Sequence, residues 1–573
     1  MSLEHRIAVA RGDADADLVL RGGTVVNVLS GELERADVAL AGDRIAAVAP
    51  SIQGPREVDC SGRWLAPGFI DAHMHLESTM VSLSEFARAV VPRGTTAVVL
   101  DPHEIANVFG VEGIRWILDS RDGVPLAAYV MASSCVPATH METSGATLEA
   151  ADLSPLLAEP GVLGLAEVMN FPGVVAGLPP LLDKLRAAGD RVIDGHAPGL
   201  TGRDLDAYLC AGPGSDHEAT TLEEASEKLR KGMRILIREG STARNLDALL
   251  PLVTATTERR CCFATDDRHP ADLLAEGHID HVIRRAIDGG LAPILAYRLA
   301  TLNAAEWFGL DRLGHGSLRP GGRADIVVLE DLEGVEVSAT YVAGSAAARE
   351  GRPRWEAHPS PPAPAGAFRL PDGWWERLPL PWRDAPARVI EVVPGQIVTG
   401  AGTTRPLRAE DGTIAMDEAS DVRKLAVIER HGRSGRMGVG LVAGLGLPRG
   451  AIASSVAHDS HNVIVAGADD ASMRTAVEAV AEARGGIAVA LDGEVLALLA
   501  LPIAGLMSER SLEAVAAELQ TALHAYRAVG GTHSEPFMAL SFLALPVIPA
   551  LKLTDHGIVD VTRFEVVPLW END

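Results

Sequence analysis

The chain has 573 residues, with 51 Lys or Arg against 77 Asp or Glu, which gives a formal net charge of -26 at pH 7. This acidic balance argues against a broad phosphate-binding surface, and therefore against nucleic acid as a partner. The length exceeds one ordinary domain but accommodates a barrel of about 250 residues with one or two companion domains.

Cysteine usage and hydropathy predict a cytoplasmic protein without a membrane partner. The cysteines are few, odd in number and without CxxC spacing, which is typical of reduced thiols rather than of a disulfide framework. The longest apolar run, Val495 to Met507, contains Pro502 and Gly505 and is shorter than the roughly 20 residues of a spanning helix. The N-terminal segment carries early acidic residues and does not resemble a secretory signal. The cysteines are Cys60, Cys135, Cys210, Cys261 and Cys262.

The two flanks of a central region predict one small β-sandwich domain. Residues 18–48 predict short strands separated by glycines, and residues 321–332 predict strands that return to the same sheet. The stretch 352–386 is rich in Pro and Trp and predicts an irregular connector. We therefore assign residues 1–64 and 315–385 to the sandwich domain and its connector.

Residues 65–314 predict a (β/α)8 barrel of TIM type. Apolar runs such as GTTAVVLD, VLGLAEVM, DRVIDGHA, RILIREG and CCFATDD each precede a plausible helix or loop. Continuous apolar strands alternating with helices indicate a parallel sheet covered on both faces, and this many units favour closure into a barrel. An active site is then expected at the C-terminal ends of the strands.

The last part of the chain, residues 386–573, predicts a separate α/β domain. Helix-like stretches alternate with strand-like ones there, for instance ASMRTAVEAVAEA followed by GGIAVAL. The whole chain is therefore expected to belong to the α/β class, with a barrel between a sandwich domain and a C-terminal α/β domain.

The strongest local signal for chemistry is the segment PGFIDAHMHLEST. His73 and His75 lie two positions apart at the end of the first barrel strand, so their side chains share a face and can chelate one metal ion. An HxH pair alone is modest evidence, because two polar residues at a strand end need not bind anything.

Further candidates follow at the ends of later strands. They are Glu167 in GLAEVMN, His196 in IDGHAPG, His217 in GSDHEAT, and Asp266 with Asp267 in FATDDRHP. Each alone has a bland explanation, such as a cap or a hydrogen-bonding group. Their order, one after another on successive strands that face the same rim, indicates a common site.

These side chains suffice for a centre of two divalent transition metal ions. Four imidazoles and two carboxylates are available, and Glu167 can span two ions at the separation of about 3.5–4 Å that is typical of such centres. Nitrogen and oxygen ligands without a thiolate fit zinc, iron or manganese. These residue types do not by themselves choose among the three metals; our expectation is manganese or iron, with zinc as the alternative.

Several longer segments carry a resemblance to a known family. They include PGFIDAHMHLESTM, GTTAVVLDPHEIANVFG, SCVPATHMETSGA and FATDDRHP, together with SSVAHDSHN and PFMALSFLALPVIPALKLTDHGIVDV near the C-terminus. In these segments the chain resembles the bacterial adenine deaminases of the amidohydrolase superfamily, over nearly its whole length. The C-terminal segments are not general features of that superfamily, which makes the resemblance specific.

The resemblance implies a role for each metal ligand. Glu167 would bridge the two metal ions, in the place where many amidohydrolases have a carbamylated lysine. The preference for Asp266 over Asp267 comes from the pattern of the family. The implied ligands are His73, His75 and Asp266 for one ion, and His196 and His217 for the other.

The resemblance also implies a hydrolase acting on carbon–nitrogen bonds of cyclic amidines, which would convert adenine into hypoxanthine and ammonia. Water shared by two cations has its pKa lowered from about 16 toward neutrality, so that hydroxide forms at physiological pH. We expect this hydroxide to add to the amino-bearing carbon while Asp266 takes its proton. The departing nitrogen must be protonated before it leaves as ammonia.

Attack on the ring also requires an acid for the adjacent ring nitrogen. The segment DPHE after the second barrel strand supplies candidates: Glu104 and His103 as proton carriers or base-contacting groups, with Asp101 orienting them. The alternative is a strand-end turn with capping acids. Glu77 is predicted to contact the substrate or a further ion, or alternatively only to orient other residues of the site.

Several alternatives stay open at this stage. Another amidohydrolase reaction could use the same metals, for example cleavage of a cyclic amide or deamination of another nucleobase, and a non-catalytic assembly protein could share the fold. The segment HDSHN, with His458, Asp459 and His461, could be a further metal cluster or a polar turn in a domain that covers the barrel mouth. We expect adenine and water as ligands, and a homo-oligomer with a dimer favoured.

Overall fold

The computed structural model describes residues 2–366, 368–416 and 420–571. Helix α1 (Leu3–Arg11) has Ser2 as its N-cap, and the side chain of Ser2 accepts a hydrogen bond from the backbone N–H of His5. Its C-cap is Gly12, which has a left-handed conformation. The strands that follow it are β1 (Leu18–Asn27), β2 (Glu32–Ala41), β3 (Arg44–Ala49), β4 (Glu57–Asp59) and β5 (Trp64–Pro67).

Parallel strands then form the barrel, and almost all of their residues are buried, as continuous apolar runs require. The first five form one ladder and the last three another. The backbone N–H of Gly214 bridges one seam to Ile193 O at 3.0 Å, and that of Asp266 bridges the other to His73 O at 3.0 Å. The strands are β6 (Phe69–Met74), β7 (Thr95–Leu100), β8 (Ala127–Ala132), β9 (Val162–Val168), β10 (Val192–Gly195), β11 (Ser215–Asp216), β12 (Arg234–Arg238) and β13 (Cys261–Ala264).

Helices lie between and after these strands and cover the barrel from outside. In the helix over residues 279–288, the buried Ile279, Val282, Ile283 and Ala286 recur at the spacing of one helical face. The helices are α2 (Leu83–Val90), α3 (His103–Phe109), α4 (Val111–Asp119), α5 (Ala150–Leu157), α6 (Phe171–Val175), α7 (Pro179–Ala188), α8 (Gly202–Cys210), α9 (Leu222–Arg230), α10 (Leu246–Leu249), α11 (Pro270–Ala275), α12 (Ile279–Asp288), α13 (Pro293–Leu299) and α14 (Leu302–Trp307).

After the barrel, the chain returns to the N-terminal sheet, as predicted. The returning strands are β14 (Ile326–Asp331), β15 (Glu336–Val342), β16 (Ser345–Arg349) and β17 (Arg352–Pro353). Strand β14 pairs antiparallel with β5, so both flanks of the barrel join in one nine-stranded sheet. Neighbouring residues such as Val19 and Leu20 are buried in different apolar clusters, which means that the sheet is covered on both faces.

The C-terminal part is built on an eight-stranded sheet in the order β19-β18-β23-β22-β25-β24-β26-β27, and α15 packs against several of its strands. Among the helices in the part of the chain that the structure describes, none is long and apolar enough to cross a membrane. The elements are β18 (Ala387–Val392), β19 (Thr399–Thr404), β20 (Leu407–Arg408), β21 (Ile414–Ala415), β22 (Arg423–Ile428), β23 (Met437–Ala443), β24 (Ala451–Ser454), β25 (Val463–Gly467), α15 (Asp470–Glu482), β26 (Gly486–Leu491), β27 (Glu494–Ala500), α16 (Leu512–Ala528), α17 (Pro536–Phe542), β28 (Leu551–Thr554), β29 (Gly557–Asp560) and β30 (Glu565–Val567).

Candidate metal centre and active site

Two buried histidines at the end of β6 form the first part of the site. His73 Nδ1 lies 3.0 Å from a carboxylate oxygen of Asp194, and His75 Nδ1 lies 2.9 Å from the backbone oxygen of Asp101. Because carboxylate and carbonyl oxygens only accept hydrogen bonds, Nδ1 carries the hydrogen in both rings. The Nε2 lone pair of each ring is therefore available for a metal ion.

Asp266, just beyond β13, completes this group. Its Oδ1 lies 3.5 Å from His73 Nε2 and 3.0 Å from His75 Nε2. Its neighbour Asp267 instead accepts a hydrogen bond from the hydroxyl of Ser78. The structure thus brings Asp266, and not Asp267, against the two histidines.

Glu167 lies between two sets of histidines. Its Oε2 is 2.6 Å from His196 Nδ1 and 3.1 Å from His217 Nε2, while its Oε1 is 3.5 Å from His75 Nε2. Glu167, His196 and His217 lie at the C-terminal ends of β9, β10 and β11. This is where a parallel barrel places its functional groups. The carboxylate can therefore contact ligands of both groups at once.

The donor set fits divalent metal ions. In each of the two groups, His73 with His75 and Asp266, and Glu167 with His196 and His217, the ligand atoms lie within 4.8 Å of one another. His73 Nε2 is buried and has no hydrogen-bond partner, a condition that is costly unless another ligand satisfies it. Imidazole and carboxylate are the ligands that zinc, iron and manganese accept.

The segment after β7 lies beside this cluster. Asp101 accepts hydrogen bonds from the backbone N–H groups of His103 at 3.1 Å and of Glu167 at 3.2 Å, and so ties the two residues together. His103 Nδ1 is 3.3 Å from Glu167 Oε1. Glu104 accepts a hydrogen bond from Ser78 Oγ at 3.3 Å, and burial raises its pKa to about 7.

Glu77 lies behind the DPHE segment. Its Oε1 accepts a hydrogen bond from the backbone N–H of Ile105 at 3.0 Å, within the first turn of α3. Burial raises the pKa of this carboxyl group. The contact places the Glu77 carboxyl group against the backbone of α3.

Three charged residues of the barrel were missed in the sequence: Asp194, Arg238 and Glu218. Asp194 holds His73, and its signal was its position two residues before His196 on the same strand face. Arg238, at the end of β12, donates a hydrogen bond from Nη1 to Asp266 Oδ2 at 2.7 Å and also pairs with Glu218. A charged residue closing an otherwise apolar strand was the available signal for Arg238.

The C-terminal part closes the cavity over this cluster. Asp459 Oδ1 lies 3.6 Å from His103 Nε2, and the ring of His458 stacks on that of Phe542 at 4.6 Å between centroids. The remaining C-terminal lining is apolar and comprises Ile397, Leu545 and Ile548.

Two adjacent cavities lie between the barrel and the C-terminal part. The first, of about 40 Å³, is lined by the metal-binding candidates and by Asp459. The second, of about 200 Å³, includes Arg244, His269 and Phe537 in its lining. Thr242 and His458 line both cavities, so the larger one adjoins the metal cluster.

Comparisons with known proteins agree with this architecture. The model of the "Amidohydrolase family" matches residues 64–347, and that of the "Adenine deaminase C-terminal domain" matches residues 396–565. A protein of Cereibacter sphaeroides named "Adenine deaminase" is 51% identical over 576 residues, covering 99% of this chain and 100% of its own. Proteins of the same name from Desulfatibacillum aliphaticivorans and Dehalococcoides mccartyi are 48% and 46% identical, each over 99% of both chains. The chain therefore belongs to the adenine deaminase family, within the amidohydrolases.

Proposed function

We propose that the protein deaminates adenine, adding water to the amino-bearing ring carbon to give hypoxanthine and ammonia. The observation that carries this proposal is Glu167, whose carboxylate lies between two groups of histidines in a chain that matches adenine deaminases from end to end. We further propose that the cofactor is a pair of divalent metal ions, with manganese or iron favoured over zinc.

The distances support the assignment of ligands to two ions. One ion would be held by His73, His75 and Asp266, whose donor atoms converge within 4.8 Å. The other would be held by His196 and His217, with Glu167 reaching both ions. Such a pair of ions supplies a hydroxide at neutral pH by lowering the pKa of a shared water.

Asp266 is proposed as the acceptor of the proton from the attacking water. Arg238 donates to its Oδ2 at 2.7 Å, so that its Oδ1 remains on the side of the two histidines. Burial opposes ionisation of this carboxyl, but Arg238 and the histidines hold its pKa well below its usual range. Asp266 is therefore present in the ionised form that can accept a proton.

Glu104 is proposed as the acid that protonates the purine ring nitrogen, assisted by His103. Burial raises the pKa of Glu104 to about 7, which suits proton transfer near neutral pH. His103 lies between Glu167 and Asp459 and can contact a base held against the metal cluster. Asp101 orients His103 through its backbone N–H. Glu77 is proposed to support α3 from behind.

The test combines metal analysis with a coupled assay for ammonia release from adenine. Wild type is expected to bind two transition metal ions and to release ammonia from adenine but not from hydantoin or dihydropyrimidines. Glu167→Gln is expected to lose at least one metal ion and most of its turnover, because a neutral amide bridges two cations poorly.

The matched control for this variant is Glu85→Gln, since Glu85 is another buried barrel glutamate that pairs with Arg88 on α2 rather than with the histidines. It is expected to keep the metal content and turnover of wild type. Full metal content and full turnover in Glu167→Gln would overturn the bridging role. Absence of turnover on adenine by a metal-loaded wild type would overturn the substrate.

We also propose a location, an oligomeric state and domain limits for the protein. We take the protein to act in the cytoplasm as a homodimer, in keeping with the resemblance and with its five free cysteines, four of which are buried. We also keep the domain limits 1–64 with 315–385, 65–314 and 386–573 as proposals. Light scattering of the purified chain is expected to give twice the mass of 60.2 kDa. A monomer mass would overturn the dimer.

A further inference from the structure

A turn of the C-terminal part brings polar side chains onto the barrel. The turn spans residues 455–462 and contains the buried residues His458, Asp459 and His461. Asp459 lies against His103, and His461 Nε2 lies 3.2 Å from Glu104 Oε2. These two barrel residues are the proposed proton carriers, so the turn adds groups to the same cavity.

The tautomer of His461 in this turn is unsuited to a metal ligand at Nε2. The backbone N–H of Ala457 donates to His461 Nδ1 at 3.1 Å. In a neutral imidazole, the other nitrogen then carries the hydrogen, so Nε2–H points toward Glu104. Although Glu104, His458 and His461 are close enough to hold an ion, this tautomer disfavours a metal cluster there.

Asp459 has one carboxylate oxygen near two imidazoles and another without a hydrogen-bond partner. Oδ1 has the imidazoles of His458 and His103 at 3.5 and 3.6 Å. Oδ2 is buried and has no hydrogen-bond partner. The residue is 1% exposed and lines the cavity of the metal cluster. Burial opposes ionisation, but the imidazoles of His103 and His458 hold the pKa of Asp459 below its usual range. A buried carboxylate oxygen of this kind is stabilised when a bound molecule supplies a hydrogen-bond donor.

The surroundings of Asp459 indicate what that ligand is. His103 faces Glu167 with Nδ1 and Asp459 with Nε2, so Asp459 lies across one imidazole ring from the proposed metal centre. The apolar side chains of Phe542 and Leu545 line the same cavity and suit the faces of a flat ring. These surroundings suit a flat heterocycle with an N–H group at the edge away from the metal centre.

The geometry points to Asp459 as a specificity-determining residue that accepts a hydrogen bond from the imidazole-ring N–H of a free purine base. This inference rests on the proposed function, since the reacting six-membered ring must face the metal centre. A purine with a substituent in place of that hydrogen, as in a nucleoside, leaves the Asp459 carboxylate buried without a donor. A site built on such a bond rejects analogues lacking the N–H by about 10⁴-fold.

The experiment compares kcat/KM for adenine, 9-methyladenine and 7-methyladenine in wild type, Asp459→Asn and Asp459→Ala. Wild type is expected to prefer adenine over both methylated bases by about 10⁴-fold, because neither of them keeps an N–H on the imidazole ring. Both variants are expected to lose about 10- to 100-fold on adenine. Their preference for adenine is expected to shrink by about 100-fold, because no charged acceptor is left unpaired.

Asp555→Asn provides the matched control. Asp555 is a buried C-terminal aspartate that accepts hydrogen bonds from the backbone of Thr143 and from Ser434, away from the two cavities. Its variant is expected to keep the preference of wild type. Calorimetric binding of hypoxanthine and its 9-methyl and 7-methyl derivatives gives the same comparison for any Asp459 variant that folds but turns over too slowly.

The outcomes separate this inference from the proposed function. Loss of the preference with retained metal content supports Asp459 as the acceptor. Parallel losses on all three bases, with the preference unchanged, overturn the inference and make Asp459 a positioning residue for His103. A wild type that accepts either methylated base as readily as adenine overturns the inference while the deaminase function stands. A wild type without activity on adenine overturns the function and the inference together.

Discussion

The two walls of the central cavity are built in different ways. On the barrel wall, the metal-binding candidates lie at the C-terminal ends of the strands, and neighbouring groups such as Asp194 and Arg238 contact them. The C-terminal wall consists mainly of apolar side chains, including Phe542 and Leu545, with Asp459 among them. Groups that require fixed mutual geometry thus lie on parallel strands, whereas groups that recognise the outline of a ligand come from a separate part of the chain.

The largest expected effect comes from breaking the barrel wall with Asp266→Asn. The amide keeps the shape of the side chain but cannot accept a proton, and it binds a cation less well than a carboxylate. We expect kcat for adenine to fall by about 10³-fold, measured by ammonia release at saturating metal.

The variant Asp267→Asn, at the adjacent residue, tests whether the effect is specific to Asp266. Because Asp267 faces Ser78 instead of the histidines, its variant should retain at least ten times more activity than Asp266→Asn. Equal losses in the two variants would contradict the assignment of Asp266 to the metal centre.

A smaller effect is expected from Asp194→Asn, which changes only the support of a ligand. An amide in this place can donate to His73 Nδ1, which would move the ring hydrogen to Nε2 and remove the lone pair from the metal. Metal affinity should fall about 10- to 100-fold, as measured by titration of the metal-free protein.

Excess metal should restore most of the activity of Asp194→Asn, and its preference for adenine over methylated bases should equal that of wild type. Unchanged metal affinity would show that Asp194 does not orient the ligand. An altered base preference would show that the two walls are not separate in function.

The smallest effect concerns the contact between the walls. Glu142 of the barrel part accepts a hydrogen bond from Ser460 Oγ at 2.7 Å, and burial raises its pKa from 4.5 to about 8. A carboxyl with a raised folded-state pKa binds its proton more tightly when folded. Wild type is therefore stabilised fully below about pH 4.5 and loses this stability as the pH rises through 8.

Glu142→Gln removes that titration. The melting temperature of the variant relative to wild type should increase between pH 5 and pH 8. This corresponds to a relative gain on the order of 1 kcal/mol in the free energy of unfolding of the variant. Scanning calorimetry at several pH values measures the difference. A difference that does not change with pH would contradict the raised pKa of Glu142.

Much of the barrel could be predicted from local sequence, but not all of its strands. Strands β7, β9, β10, β12 and β13 follow from continuous apolar runs. Strand β8 has the sequence AAYVMA, and alanine has no preference for strands, so only pairing with β7 and β9 makes it one. Strand β11 has two residues, too few for a periodic signal.

The candidate ligands could be predicted for a related reason. Strand periodicity and strand order are local properties, and in a parallel barrel they bring the ends of successive strands to one rim. The candidate ligands could thus be grouped from the sequence alone. They are His73, His75, Glu167, His196, His217 and Asp266. The amino-acid sequence by itself determined the barrel and the family, and it grouped the proposed metal ligands.

Only the tertiary structure decided which neighbouring side chains contact these groups. Asp194 became a partner of His73, Arg238 a partner of Asp266, and Asp459 a neighbour of His103 through contacts between distant parts of the chain. Such contacts depend on how separately formed elements pack, and no spacing along the chain encodes them. The same packing determines which buried polar atoms lack a partner.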